Sequence, residues 1–204
     1  MIDTVRPGAV DWTGDNPFIY LKQDPAGDYS CLALYFRVAL SEHGPGQVML
    51  VLESPYEPLD DHARRLCLTD NAPLARYLIE GFVKKFALFR PCARLLDALG
   101  IVAGAAFATE HPDPHTHIER AHVPGGRRLC MRWEGLQPPF MADVPAQSTQ
   151  TGRHEMFSVF QPAGHALIEV DGSPVSGGTV ERDFFGGRAQ SAALAYSETW
   201  VRQP

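Results

Sequence analysis

The stretch CLALYFRVAL, residues 31–40, indicates the fold class of this chain. Leu32 and Leu34 fall on one face of an extended chain, and Ala33 and Tyr35 fall on the other. Alternation with a period of two is the pattern of a half-buried antiparallel strand. The turn-forming segment SEHGPG and the apolar run QVMLVLE follow directly, so the sequence predicts a β-hairpin.

Short strand-like segments continue through the carboxyl-terminal half of the chain. They include RRLCMRWEGL, HEMFSVFQ, HALIEV and AQSAALAYSETWVR, and turn sequences such as DGSP and FGGR lie between them. Counting over the whole chain gives about nine or ten strands at hairpin spacing. We therefore expect a mainly β (α+β) fold whose antiparallel strands form a barrel or a sandwich. A calycin-like barrel is the leading prediction, and a cupin-type double sheet is the alternative.

One dominant amphipathic helix is expected over about residues 71–90. Asp70 or Asn71 can cap its first turn, Pro73 is tolerated within that turn, and Pro91 follows the end of the helix. Apolar residues recur along it at spacings of three and four, which predicts a wide stripe packed against a sheet. This stripe consists of Leu74, Leu78, Phe82, Phe86 and Phe89.

The organisation of the chain favours one domain. No polar linker separates two complete apolar sets within the 204 residues, so we expect a single β-barrel-type domain over residues 1–204. The segment of residues 1–17 contains several Pro and Gly residues, and we expect it to be irregular. A net charge of −6 with scattered Lys and Arg argues against nucleic-acid binding.

Composition also favours a cytoplasmic protein. The amino terminus lacks the basic start and apolar run of a secretory signal. No apolar run approaches the roughly 20 residues of a membrane-spanning helix, so no membrane interaction is expected. The four cysteines form no C-x-x-C pair, which suits reduced thiols in the cytoplasm.

Histidines are concentrated in the stretch ATEHPDPHTHIERAH, residues 108–122, which holds half of the eight in the chain. If the chain is extended there, His115, His117 and Glu119 alternate onto one face. Two imidazoles and a carboxylate side by side suit a divalent metal ion. The competing interpretation is a solvated, proline-rich surface turn.

This His-x-His-x-Glu arrangement resembles the metal-binding motif of the cupin family. Cupins usually leave three or four residues between the second His and the Glu, whereas this chain leaves one. A cupin also takes a histidine from a facing strand, and the segment QPAGHALIEVDG offers one. The resemblance implies a divalent metal cofactor held by His115, His117, Glu119 and His165. His111 or His122 is an alternative further ligand.

Polar and aromatic side chains of the later strands are candidate ligand-binding residues. Alternation places Tyr196, Glu198 and Trp200 on one face of the final strand, a row that suits the lining of a cavity for a flat or amphipathic molecule. The alternative is a core row that ends at a polar rim, with nearby charges in ordinary surface ion pairs. The candidates are Arg132, Trp133, Arg182, Tyr196, Glu198 and Trp200.

Three functions are compatible with these observations. The preferred one is a soluble β-barrel protein that binds an unidentified small molecule, because the chain contains no nucleophile elbow, phosphate loop, dinucleotide fingerprint or H-E-x-x-H motif. The alternative is a metal-dependent cupin-like enzyme that uses the His/Glu cluster. The third is an interaction module whose Phe-rich helix docks on a partner or forms a homodimer.

Overall fold

A computed structural model describes residues 8–57 and 64–203 of the chain. Strands hold 56% of the residues and helical segments 13%, which confirms the mainly β prediction. The strands, numbered in chain order, are β1 (Ala9–Asp15), β2 (Phe18–Leu21), β3 (Cys31–Ser41), β4 (Gly46–Glu53), β5 (Arg65–Thr69), β6 (Ile101–Ala103), β7 (Ala106–Asp113), β8 (Thr116–His122), β9 (Arg128–Leu136), β10 (Phe140–Val144), β11 (His154–Val170), β12 (Ser173–Pro174), β13 (Glu181–Phe184), β14 (Gly187–Gln190) and β15 (Ala192–Arg202).

Thirteen strands form one mixed sheet, which does not close into the predicted barrel. The strand order is β6-β5-β4-β3-β1-β15-β11-β9-β8-β7, with β2, β10 and β12 paired beside this path, and β5 pairs with β6 in parallel. The two ends of the order, β6 and β7, share no ladder in the described ranges. Strand β6 has only three residues, and Gly104 redirects the chain directly after it at φ 78°. An edge this short cannot carry the continuous ladder that closure requires.

Strand β3 is buried on both faces, not on one as its alternation predicts. The predicted hairpin of β3 and β4 is confirmed, with Leu34 opposite Leu50. Leu34 belongs to an apolar core that includes Leu78 of the first helix. Tyr35, on the opposite face, belongs to a second core that includes Trp133 of β9. The sheet therefore has an inner core, between its two halves, and an outer core beneath the helical segments.

The predicted helix over about residues 71–90 is too long. The helical segments after β5 are α1 (Ala72–Gly81), 3₁₀ turns at Val83–Lys85 and Arg90–Cys92, and α2 (Ala93–Ala98). Phe82 leaves the helical conformation at φ −132°, and its fully buried ring lies 5.8 Å from the ring of Trp12 and 5.3 Å from that of Trp200. Packing of Phe82 against these rings overrides the helical periodicity. No helix in the described part of the chain is long and apolar enough to cross a membrane.

Asn71 caps helix α1 and ties it to the β3–β4 turn. Its Oδ1 accepts from the backbone N–H of Leu74 at 3.1 Å, and its Nδ2 donates to the carbonyls of His43 at 2.9 Å and Pro45 at 3.0 Å. We expect Asn71→Ala to lower the free energy of unfolding by about 1–2 kcal/mol, measured by urea denaturation. Asn71→Asp keeps the cap acceptor and should lose less; equal losses would contradict the assignment to the cap.

Strand β1 occupies part of the segment predicted to be irregular. Residues 1–7 lie outside the described residues, but Ala9–Asp15 pair with β15 on one side and with β3 on the other. This strand therefore lies in the middle of the sheet. The turn that follows it brings Asn16 next to Glu198 of β15.

Candidate functional site

The histidine-rich segment forms the hairpin of β7 and β8, and part of it is buried. His117 and Glu119 share a face of β8, as alternation predicts. Nε2 of His117 lies 2.8 Å from Oε1 of Glu119, and the two residues are only 3% and 1% exposed. Nδ1 of His117 also lies 3.3 Å from Nδ1 of His111. Two of the three residues expected on one face of this segment, His117 and Glu119, therefore lie in contact.

An arginine from the opposite half of the sheet engages this cluster. The guanidinium of Arg37, on β3, donates to Oε1 of Glu119 at 2.6 Å and to Oγ1 of Thr109 at 2.5 Å. The Thr109 hydroxyl donates to the second carboxylate oxygen of Glu119 at 2.9 Å. Both oxygens of this buried carboxylate thus have partners within the protein, which is the arrangement of a structural ion pair.

The other two predicted metal ligands lie elsewhere. His115 is in the exposed turn before β8. His165 is exposed on β11, and its neighbour Ala166 lies opposite Trp133, which in turn lies opposite His117. Because paired residues share a face, His165 points to the other side of the sheet from His117. No three His, Cys, Asp or Glu side chains within the described residues form a group that could hold a metal ion.

A cavity of about 240 Å³ lies on the helix-covered side of the sheet. Its walls come from the start of β2, the segment between the 3₁₀ turns, the loop after β10, the β13–β14 hairpin and the end of β15. Eight of its nineteen lining residues are aromatic. This aromatic cavity is lined by Asn16, Phe18, Tyr20, Leu34, Phe86, Ala87, Leu88, Phe89, Val144, Ser148, Thr149, Gln150, Met156, Phe160, Arg182, Phe184, Phe185, Glu198 and Trp200.

A buried carboxyl group lies in the wall of the aromatic cavity. Glu198 is 3% exposed, and its Oε1 accepts from the indole N–H of Trp200 at 2.7 Å and from Nδ2 of Asn16 at 3.0 Å. Burial is the main cause that raises the pKa of Glu198, the hydrogen bonds from Trp200 and Asn16 act to lower it, and the charge of Asp15 raises it slightly, so that the resulting pKa is about 7. The cavity therefore contains a carboxyl group that titrates near neutral pH.

Asn16 adds an unpartnered acceptor beside that carboxyl group. It is 6% exposed, and its side-chain Oδ1 is buried without a hydrogen-bond partner in the described structure. Its backbone N–H donates to the carbonyl of Ala195 at 2.9 Å, which fixes its position against β15. Unpaired buried polar atoms are rare and are found at sites that bind a ligand or water.

The β13–β14 hairpin closes another side of the aromatic cavity. It forms a separate two-stranded sheet. The rings of Phe184 and Phe185 lie 5.1 Å and 5.0 Å from that of Phe160 on the main sheet. The Arg182 guanidinium lies over the ring of Tyr20 at 5.8 Å and over that of Phe184 at 5.7 Å. A cationic group thus stands on the hairpin, held by aromatic faces.

Three of the six predicted ligand-binding residues line the aromatic cavity, namely Arg182, Glu198 and Trp200. The predicted row on β15 is interrupted because Ser197, at φ 51°, forms a bulge. Thr199 lies opposite Phe157 and Tyr196 opposite Val159, so β15 has one extra residue between them. The bulge moves Trp200 to the outer core and leaves Tyr196 against the inner one.

The other predicted ligand-binding residues have structural partners. Trp133 is fully buried in the inner core, and its indole N–H donates to the carbonyl of Phe18 at 3.0 Å. Arg132 pairs with Glu134 at 2.6 Å. Tyr196 has its hydroxyl 3.5 Å from the side chain of Gln161. The cavity accordingly lies outside the packed inner core. The expected cavity inside a barrel is not the one that the structure shows.

Several residues that line the aromatic cavity were not predicted to bind a ligand. Asn16 stands in the turn sequence GDNPF, which carries no signal for a ligand site. Phe86 was assigned to the helical stripe. The pair Phe184 and Phe185 before the Gly-Gly turn was the one available signal, since adjacent aromatic rings at a hairpin tip need a surface to cover.

A second surface depression, of about 330 Å³, has a different character. It is lined by Arg120, Ala121, His122, Arg128, Leu129, Cys130, Glu169 and Gly172. It has no aromatic wall, and Arg120 is already paired with Glu110 at 2.8 Å. The aromatic cavity is therefore the stronger candidate site.

Comparison with known protein families, characterised proteins and solved structures finds no match to this chain. The functional conclusion therefore rests on the geometry and chemistry of the aromatic cavity.

Proposed function

We propose that this protein binds a small, largely apolar organic molecule in the aromatic cavity. The observation that carries the proposal is a space of about 240 Å³ lined by eight aromatic residues, with a buried polar pair, Asn16 and Glu198, in its wall. Ligand sites are typically concave and mostly apolar, with a few placed polar groups that fix orientation. The volume is just below the roughly 300–1,000 Å³ of most ligand pockets, so we expect a small ligand.

The histidine cluster supports no second function. The metal-dependent cupin-like alternative needs an available carboxylate and convergent imidazoles, but Arg37 and Thr109 engage Glu119, and His115 and His165 lie apart from it. The cluster instead links β3 to the β7–β8 hairpin. We propose a cytoplasmic location on the free state of the four cysteines, which suits a reducing compartment.

Filling the cavity tests the proposal. We expect wild-type protein to bind propylbenzene, detected by saturation-transfer NMR and quantified by isothermal titration calorimetry. Val144→Trp places an indole in the cavity wall and should weaken binding at least tenfold. The matched control is Val159→Trp, the same change at a partly exposed position outside the cavity lining, which should bind like wild type. Absence of binding to the wild type, or equal binding by both variants, would contradict the proposal.

A further inference from the structure

The Asn16–Glu198 part of the aromatic cavity presents hydrogen-bond acceptors. The indole N–H of Trp200 and the side-chain N–H of Asn16 both donate to Oε1 of Glu198, so these two donors are already used. Oδ1 of Asn16 is a buried acceptor without a partner in the described structure. The hydrogen bonds that Glu198 accepts from Asn16 and Trp200 are both made by Oε1, not by Oε2. Oδ1 of Asn16, and Oε2 of Glu198 when the carboxyl group is ionised, can accept a hydrogen bond from a molecule in the cavity.

Burial makes this acceptor pair significant. Asn16 is 6% exposed and Glu198 is 3% exposed, so solvent satisfies these side chains poorly. A buried acceptor without a donor costs free energy that a ligand N–H recovers on binding, whereas a second acceptor placed there would add repulsion. The pair therefore selects for a donor and against a carboxylate or ether at this point.

The surrounding rings favour a positively charged donor. The rings of Trp200 and Phe86 are stacked at 5.9 Å, and those of Phe18 and Tyr20 at 4.8 Å. Aromatic faces attract organic cations, most strongly when water is excluded. The positive charge of Arg182 acts against a cationic ligand. Arg182 belongs to the separate hairpin, however, where its guanidinium lies over the ring of Tyr20. A cation is thus favoured beside Glu198, and the apolar body of a ligand is favoured against the aromatic wall of the cavity.

We propose that the ligand is a small arylalkylamine, in which a short carbon chain joins the amine to an aromatic ring, and that its nitrogen donates to Oδ1 of Asn16 and to the carboxylate of Glu198. This inference rests on the proposed function of the aromatic cavity and specifies the ligand class. Recognition needs no covalent step: the ammonium and the carboxylate form a charge-assisted hydrogen bond, and the aromatic body of the ligand packs against the aromatic wall of the cavity.

Binding should then depend on pH. Because the pKa of Glu198 is about 7, an ammonium ligand binds better above that pH, where the carboxyl group is ionised before binding. The titratable and charged groups near it in the described structure are Asp15 of β1, Tyr20 of β2 and Arg182 of the hairpin. Burial raises the pKa of the Tyr20 hydroxyl, so Tyr20 stays neutral through this range.

Three ligands of matched size test the inference by calorimetry: phenethylamine, hydrocinnamate and propylbenzene. At one pH unit above the Glu198 pKa of about 7, we expect the amine to bind wild-type protein at least tenfold tighter than the other two. One unit below it, this preference should shrink several-fold. Glu198→Gln and Asn16→Ala should each reduce amine affinity toward that of propylbenzene while leaving propylbenzene binding unchanged. The control Glu169→Gln alters an exposed carboxylate of β11 and should retain the preference.

The outcomes separate the two proposals. If propylbenzene binds as tightly as phenethylamine, or hydrocinnamate binds best, the amine inference is wrong and the cavity still binds apolar molecules. If none of the three ligands binds wild-type protein, the proposed function itself fails. Propylbenzene binding also reports whether each variant is folded, and the wild-type comparison decides the ligand class even if one variant does not fold.

Discussion

The free energy of unfolding should fall by about 3 kcal/mol through Glu198 alone as the pH rises from about 4.5 to above 7. The native environment raises the pKa of this carboxyl group from 4.5 to about 7, and each unit of difference corresponds to about 1.4 kcal/mol. Glu198 is 3% exposed, so solvent screening does not reduce the effect as it does for surface groups.

The sign follows from proton binding in the two states. Below about pH 4.5 the carboxyl group is protonated in both the folded and the unfolded chain, so its favourable contribution is fully present. Between about 4.5 and about 7 the folded chain keeps a proton that the unfolded chain has lost, so stability declines with rising pH. Above about 7 both states are ionised and the contribution of Glu198 levels off.

Urea denaturation across this pH range measures the effect as a difference between variants. In Glu198→Gln the amide oxygen can still accept from Trp200 and Asn16, but the proton linkage is gone, so its stability should decline less with pH. Glu169→Gln, on the exposed side of β11, should follow the wild-type curve. Parallel curves for wild type and Glu198→Gln would mean that Glu198 titrates as an ordinary exposed carboxylate.

A carboxyl group that destabilises the folded chain at neutral pH needs a compensating role. Replacing it by Gln would remove the penalty without disturbing the two donors that it accepts from, so stability alone does not favour Glu198. A positively charged ligand would supply a counter-charge to the ionised carboxyl group of Glu198, which its hydrogen-bond donors Asn16 and Trp200 do not supply. The pH–stability curve should therefore flatten in the presence of a bound amine, which links the stability prediction to the ligand proposal.

Much of the sheet could be predicted from local sequence pattern. The β3–β4 hairpin followed from strict alternation and a Gly-Pro turn, and Asn71 was one of the two helix caps, with Asp70, that the position before Pro73 allowed. The length of the helix was not predictable, because the helix ends before Phe82, whose ring packs against Trp12, a residue distant in sequence. Closure into a barrel was also not predictable from local sequence, because it depends on whether the two edge strands, β6 and β7, pair with each other.

The site was only partly predictable for the same reason. Alternation correctly predicted that His117 and Glu119 share a face of β8. No local pattern indicated that Arg37 of β3, a distant strand, would form an ion pair with the carboxylate of Glu119. The bulge at Ser197 separated Trp200 from Tyr196, although simple alternation placed them in one row. Pairing between distant strands, which creates the polar pair of the aromatic cavity, leaves no signature in the neighbourhood of either residue.

Gly14 provides the most severe test of that strand pairing. It lies on β1, opposite Val38 on one side and Glu198 on the other. A Cβ atom at Gly14 would lie 2.0 Å from the carbonyl oxygen of Arg37 and 2.8 Å from Cα of Val38. Both obstacles are backbone atoms, so no rotamer change can relieve the contact, and β1 and β3 would have to separate.

We expect Gly14→Ala to lower the free energy of unfolding by about 3 kcal/mol or more, measured by urea denaturation. The matched control is Gly81→Ala at the end of α1, where the nearest atom to the added Cβ is 4.0 Å away, in Tyr77. That substitution should stabilise the protein by about 0.5–1 kcal/mol, because Ala is the better helix former. The same methyl group thus changes stability in opposite directions at the two sites.

A loss at Gly14 below about 1 kcal/mol would mean that β1 and β3 can be spaced further apart than this structure has them. In that case the register that brings Asn16 to Glu198 would be adjustable, and amine binding should survive in the variant; if the spacing is fixed, amine binding should be lost together with stability.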